Sequence, residues 1–191
     1  MSNRSPSVER ICAAAVIHFA ERGYDAASLN DIAVAVGIRK ASLYAHFVNK
    51  DALFMEVFNE ALQLERNYMS QCFADEPSDA QAGSYYCASL AQRYQTSEYL
   101  RLLLRTAYFP PTGLQPAISL GFEAYLEELQ SFFIRKLPKK QQNWLSEAYL
   151  AMVDSLHIEL IYAGGKSFEK RLKAMQKLLS QALASQAVIA I

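Results

Sequence analysis

The stretch SLNDIAVAVGIRKASLYAHFVNKDAL, residues 28–53, encodes two short helices that meet at a glycine. Ser28 opens the first, where its hydroxyl can cap the free amides and Asp31, three residues on, can answer it as a capping box. Ile32, Ala33 and Val36 give this helix an inward face, and Ala33 is small enough for a close crossing. Gly37 can take the left-handed conformation that a tight interhelical turn needs. The second helix, from about Lys40 to Phe47, turns Ile38, Leu43 and Phe47 inward. Its outer face carries Arg39, Lys40, Ser42, Tyr44 and His46, with Lys50 just beyond, and no acid lies between Ile38 and Lys50. This is a helix-turn-helix layout, whose second helix enters a major groove. Arg and Lys suit phosphates and guanine edges, and Ser and Tyr hydroxyls suit phosphate oxygens.

Outward from this stretch the pattern is helical throughout. A first helix runs from about Ser7 to Arg22 and stops at Gly23. Asn49 caps a long fourth helix from Lys50 to about Phe73, with Asp51 in its first turn. After the loop Asp75-Glu76-Pro77-Ser78, helices follow at about 79–95 and 97–108, then a break at Pro110-Pro111 and Gly113. The next helix tolerates Pro116 in its first turn and reaches about Lys136, before Pro138. The last two run at about 140–163 and 166–186, hinged at Gly164-Gly165. No alternating pattern marks a strand. The expected fold is all-α, about nine helices: a three-helix DNA-binding domain over residues 1–48 and a helical bundle over 49–191.

Composition narrows the function. Of 191 residues 52% are hydrophobic, ample for a core, and 19 basic side chains balance 19 acidic ones. Residues 1–50 hold six Lys/Arg against four Asp/Glu, a weakly basic front that permits nucleic-acid binding without establishing it. Cys12, Cys72 and Cys87 have neither disulfide-framework nor zinc spacing, which suits a reducing cytoplasm. The apolar run Ile11 to Ala20 follows Arg4 and Arg10 as a signal peptide would, but His18, Glu21-Arg22 and helical spacing of its larger side chains fit an amphipathic helix better. No stretch reaches the roughly 18–20 apolar residues that span a bilayer, so a soluble chain with no membrane partner is expected. Asp154 and His157 share a helix face beside Glu159, yet no third ligand follows at a matching offset; a hydrogen-bonded pair, not a metal site, is the reading. No nucleophile–base motif, phosphate-binding loop or paired catalytic carboxylates occur, so neither enzymatic activity nor a cofactor is expected.

The array resembles the TetR/AcrR family of transcriptional regulators. The resemblance rests on the hydroxyl residue opening the second helix, Ile32-Ala33, Gly37-Ile38, Leu43-Tyr44, His46-Phe47, Lys50-Asp51-Ala52-Leu53 and the preceding Phe19 to Tyr24. It covers about residues 8–55 without a gap. Ala41 and Ser42 depart mildly, standing where the family often has Gly and Thr. The resemblance implies that Ser28, Lys40, Ser42, Tyr44 and Lys50 contact the DNA backbone and that Arg39 and His46 lie near bases. Leu43, a core residue first, is included in that face. It further implies a repressor that binds a palindromic operator as a homodimer and is released by a small effector.

Beyond residue 55 the residues must speak for themselves. Tyr85, Tyr108, Phe109, Phe122, Tyr125 and Tyr149 can line a cavity for an apolar or aromatic effector, although aromatics at helical spacing are more often core. Arg101 and Arg105, one turn apart, can recognise an anionic group, and Asp154 and His157 complete the candidate set. In the penultimate helix Leu145, Ala148, Met152, Leu156 and Leu160 recur every three or four residues, as do Phe168, Leu172, Met175, Leu179 and Leu183 in the last. Two such helices can pair with a second copy as a four-helix bundle, or pack within the chain, each doing some of both. Two alternatives stand beside the effector-released repressor: a TetR-like protein acting through protein partners without an effector, and a helical ligand-binding or scaffold protein that does not bind DNA.

Overall fold

A computed structural model describes residues 4–137, 142–162 and 165–185; Pro138, Gly164 and the expected helix limits at 140, 163 and 186 lie outside the described residues. Among the described residues the chain is all-α: α1 (Pro6–Ala26), α2 (Leu29–Val36), α3 (Lys40–Tyr44), α4 (Lys50–Asp75), α5 (Ser84–Thr96), α6 (Glu98–Tyr108), α7 (Gln115–Arg135), α8 (Gln142–Tyr162) and α9 (Gly165–Ser185). Two compact units partition these helices. Residues up to Glu65 with Ser97–Glu123 form the first, and Arg66–Thr96 with residues from Ala124 onward form the second. Helices α4 and α7 therefore contribute to both.

In the first unit α1 starts at Ser5, whose Oγ accepts from the Val8 amide at 3.4 Å. It buries Ile11, Ala15, Val16 and Phe19, packing along α6 and across α2. The expected stop at Gly23 is a kink, φ 77° and ψ 171°, after which one turn continues to Ala26. Phe54 of α4 fills the space behind that kink, edge-on to Phe19 at 4.9 Å and to Tyr24 at 5.0 Å. Arg4, ahead of α1, bridges Glu56 and Glu60 of α4 at 2.6 Å each. Helix α6 is capped by Ser97, whose Oγ accepts from the Leu100 amide at 3.2 Å and donates to the buried Glu65 carboxylate at 3.1 Å.

The second unit departs from expectation at one helix start. Helix α5 begins at Ser84, not near residue 79, because the Glu76 carboxylate, 5% exposed, receives the Gly83 and Tyr85 amides at 3.0 and 3.1 Å. An acceptor eight residues upstream of the helix fixes where it starts. Inside, the Tyr86 and Tyr125 hydroxyls share a hydrogen bond of 2.5 Å, and Tyr149 stacks on Phe133 at 4.0 Å while donating to the Gly83 carbonyl at 3.0 Å. Burial pushes the Tyr86 and Tyr149 phenols well above their ordinary range. Helices α8 and α9 pack on each other and are clamped by Arg171, which reaches Glu159 at 2.5 Å and Ser155 at 2.6 Å. No described helix is long and apolar enough to cross a membrane.

Candidate nucleic-acid interface

Helix α2 is capped by Ser28, whose Oγ accepts from the Asn30 amide at 3.2 Å. The capping box expected with Asp31 does not form: Asp31 instead pairs with Arg22 at 2.8 Å, tying the end of α1 to the first turn of α2. Gly37 closes α2 at φ 75°, ψ 31°, as the turn requires. A bond of 3.0 Å from the Ile38 amide to the Ala33 carbonyl completes the left-handed cap. Helix α3 then starts at Arg39, which makes no side-chain cap, and ends at Tyr44, three residues before the expected limit. The His46 amide bonds back to the Leu43 carbonyl at 3.0 Å, three residues away, so a tighter turn follows the last helical one.

This geometry sorts the predicted contacts. Arg39, Lys40, Ser42, Tyr44 and His46 are exposed, and Ser28 and Lys50 are half-buried. Lys40 Nζ lies 5.8 Å from the centre of the Tyr44 ring. Leu43 is a correction: at 0% exposure it faces the core, with Ile32 and Phe47, and cannot reach a duplex from α3. Its place in the array is that of a packing residue between two exposed ones, Ser42 and Tyr44. Lys50 is held by the chain itself, 3.2 Å from the Asp25 carbonyl and 4.4 Å above the Tyr24 ring. The Tyr24 hydroxyl donates to Asp51, and burial with that neighbouring carboxylate raises the phenol to about 12. Asn49 caps α4 as expected, accepting from the Ala52 amide at 2.8 Å. Tyr24, Lys50 and Asp51 thus buckle the end of α1 to the start of α4, a role that their separation in sequence concealed. Val34 and Val48, 70% and 81% exposed, flank the basic row and escaped the sequence reading because valine signals burial.

The effector candidates divide between the units. Arg101, Arg105, Tyr108, Phe109 and Phe122 fall in the first, and Tyr85, Tyr125, Tyr149, Asp154 and His157 in the second. Arg105, Phe109, Phe19, Tyr24 and Phe54 line a cavity of about 250 Å³ in the first unit. Arg101 pairs with Glu98 at 3.0 Å, and Tyr108 meets Phe122 edge-on at 6.0 Å. Tyr125 and Tyr149 belong to the packed aromatic core already described, and His157 is fully buried. Both ring nitrogens of His157 lack a hydrogen-bond partner, so the hydrogen-bonded pair expected with Asp154 is not made. Burial lowers this imidazole to about 3. Among the described residues no cluster of three or more His, Cys, Asp or Glu is placed to hold a metal.

The dimer candidates also divide. Leu145, Leu156, Leu160, Phe168, Leu172 and Leu179 are buried within the chain, whereas Ala148, Met152, Met175 and Leu183 are partly open. Trp144, Tyr162 and Leu178 are the large apolar side chains that α8 and α9 leave exposed, at 51%, 65% and 65%. The periodic stripe was read correctly as apolar, but most of it serves contact between the chain's own helices.

Residues 11–57 match the family described as bacterial regulatory proteins, tetR family. The chain is 32% identical over 81 residues to the HTH-type transcriptional repressor ComR of Escherichia coli K12, a match covering 42% of this chain and 39% of that protein. It is 44% identical over 46 residues to IcaR of Staphylococcus epidermidis, the negative transcriptional regulator of the biofilm operon icaADBC, covering 24% of this chain and 25% of that one. These matches thus span well under half the length of either relative. Among solved structures, a TetR transcriptional regulator of Chloroflexus aurantiacus superposes with a TM-score of 0.73 at 18% identity, covering 92% of this chain and 94% of that one. A TetR-like regulator of Rhodococcus gives 0.66 at 15% identity over 96% and 99%. At such identities the likeness is one of fold.

Proposed function

We propose, from the premise that this chain belongs to the tetR family of bacterial regulatory proteins, that it is a repressor which binds an operator in double-stranded DNA as a homodimer. The observation that carries the reading is the exposed, acid-free row Arg39, Lys40, Ser42, Tyr44 and His46 on a closed helix-turn-helix. Ser28 and Lys50 flank it, and Lys50 must leave Asp25 to meet a phosphate. Residues 1–48 act as the DNA reader and 49–191 as the regulatory part. Repression is taken from the described roles of the two bacterial relatives.

Two copies would present recognition helices one DNA turn apart, roughly 34–36 Å, to successive major grooves of a palindrome. The second copy meets the chain through the open part of α8 and α9, with Trp144, Met152, Met175, Leu178 and Leu183. A small effector bound in the regulatory part releases DNA by favouring the wrong spacing by a few kcal/mol. Helix α4 runs unbroken from the Asn49 cap into the second unit, so displacement of its C-terminal half would be felt at that cap. The chemistry of the molecule lies in recognition, without a catalytic step or a cofactor.

Fluorescence anisotropy with duplexes from the region upstream of its own gene tests the reading. Tight, sequence-dependent binding is expected, and indifference to every duplex would overturn it. Size-exclusion chromatography with light scattering tests the association. Leu178→Glu should yield a folded monomer, because Leu178 is 65% exposed while the adjacent Leu179, at 4%, packs inside.

A further inference from the structure

We propose that the cavity behind the α1 kink is a binding site for a small aromatic monoanion of the hydroxybenzoate class, with Arg105 holding the carboxylate. The cavity lies entirely within the first unit, between the end of α1, the start of α4, the end of α6 and the chain that follows it. Behind it Phe54 meets Phe19 and Tyr24 edge-on at 82–86°; Phe19 and Phe54 are 0% and 1% exposed, so the half-buried Tyr24 is the inner ring that a ligand can touch. Phe109, 56% exposed, stands at the rim although it is a large apolar side chain. Aromatic walls of this kind accept a further ring edge-on or stacked. At about 250 Å³ the space lies below the usual range for drug-sized ligands, which limits the occupant to a single ring with its substituents.

Charge selects the class. Three charged side chains line the cavity: Arg22, Arg105 and Asp25. Arg22 is compensated by Asp31 at 2.8 Å. Arg105, among the described residues, makes one long hydrogen bond of 3.4 Å, from Nη1 to the Glu21 carbonyl. Its other donors lie over Gly23, so close that a Cβ added there would sit 2.9 Å from Nε. The glycine thus admits the guanidinium to the cavity. A guanidinium presents a planar fork that matches a carboxylate with two parallel bonds. Asp25 at the same cavity opposes a second negative charge, which favours a monoanion over a dianion, and its carboxylate can accept from a phenolic hydroxyl.

The regulatory consequence rests on the effector reading above, because this cavity adjoins the joint from which α2 and α3 extend. Gly23 holds the Ala27 amide at 3.2 Å, and Arg22 holds Asp31. Binding itself does not depend on that reading and is measured without DNA. Isothermal titration of the full chain with 4-hydroxybenzoate should give saturable binding, at least tenfold tighter than its methyl ester and than benzylamine. Arg105→Gln should weaken the acid tenfold or more, and Phe109→Ala should weaken it as well. Arg101→Gln, one turn away and paired with Glu98, should leave it unchanged. Both Arg105 and Phe109 are exposed, and matching thermal melts establish that the variants fold. Absence of binding at millimolar acid, or equal affinity in Arg105→Gln, overturns the site. Binding that leaves duplex affinity untouched upholds the site and tells against the effector reading alone.

Discussion

Leu43 and Tyr44 are neighbours in sequence with opposite surroundings, one wholly enclosed and the other 45% exposed. Leu43→Ala should cost about 2–5 kcal/mol of stability through the lost burial and the void left behind, read as a fall in denaturation midpoint. Tyr44→Ala should leave the melt within about 0.5 kcal/mol and reduce duplex affinity about tenfold, the worth of one hydrogen bond to a charged phosphate. A Tyr44→Ala protein that binds every duplex as tightly as the parent would remove this residue from the interface. Two of the positive-φ glycines, Gly37 and Gly23, make a second pair. A Cβ at Gly37 meets nothing within 4 Å, so Gly37→Ala should cost only the backbone penalty, about 1–2 kcal/mol. Gly23→Ala should cost more in a thermal melt, because φ 77° with ψ 171° is a backbone conformation open essentially to glycine alone. Residue type and spacing were enough to find Gly37 and the outer face of α3. The same spacing turned Leu43 inward, and only its place in the family array put it among the contacts, since a motif records which positions matter and not which way each one points.

Helices show where local rules suffice and where they fail. Ser28, Gly37, Asn49 and Ser97 mark helix ends through partners within five residues, and sequence alone placed those ends closely. The start of α5 depends on Glu76, and the capping box at Asp31 lost to an ion pair with Arg22, nine residues away. Such choices are made by tertiary neighbours and leave no periodic trace. Glu76→Ala should therefore act as a core lesion even though it lies in a loop. It strands the buried Gly83 amide and the part-buried Tyr85 amide, and a loss of about 1–3 kcal/mol is expected in chemical denaturation. An unchanged midpoint would show that water replaces the carboxylate. The same limit governed α8 and α9, whose stripe was legible as apolar while its division between self-packing and open surface was not.

For the molecule as a whole, stability should carry the signature of one imidazole. His157 is buried without a hydrogen-bond partner and titrates at about 3 when folded, against 6.5 in its ordinary state. Below 6.5 the unfolded chain takes up a proton that the folded chain refuses, so stability falls as pH falls. The expected slope is about 1.4 kcal/mol per pH unit between 6.5 and 3, added to whatever the carboxylates contribute. His157→Leu should flatten that limb in urea denaturation from pH 7 to pH 4; an identical pH profile in the variant would rule out this residue as its source.

The recognition row carries few cations, and that scarcity has a thermodynamic consequence. On the proposed reading, and as long as Lys50 stays engaged by Asp25 and Tyr24, each copy would bring chiefly two cations of the row, Arg39 and Lys40, to the duplex. Each such neutralisation releases roughly 0.9 of a condensed counterion. The affinity for DNA should then decline gently with added potassium chloride, by a log–log slope of about 2 per head, so that discrimination among sequences survives at ionic strengths that strip more basic proteins from the duplex.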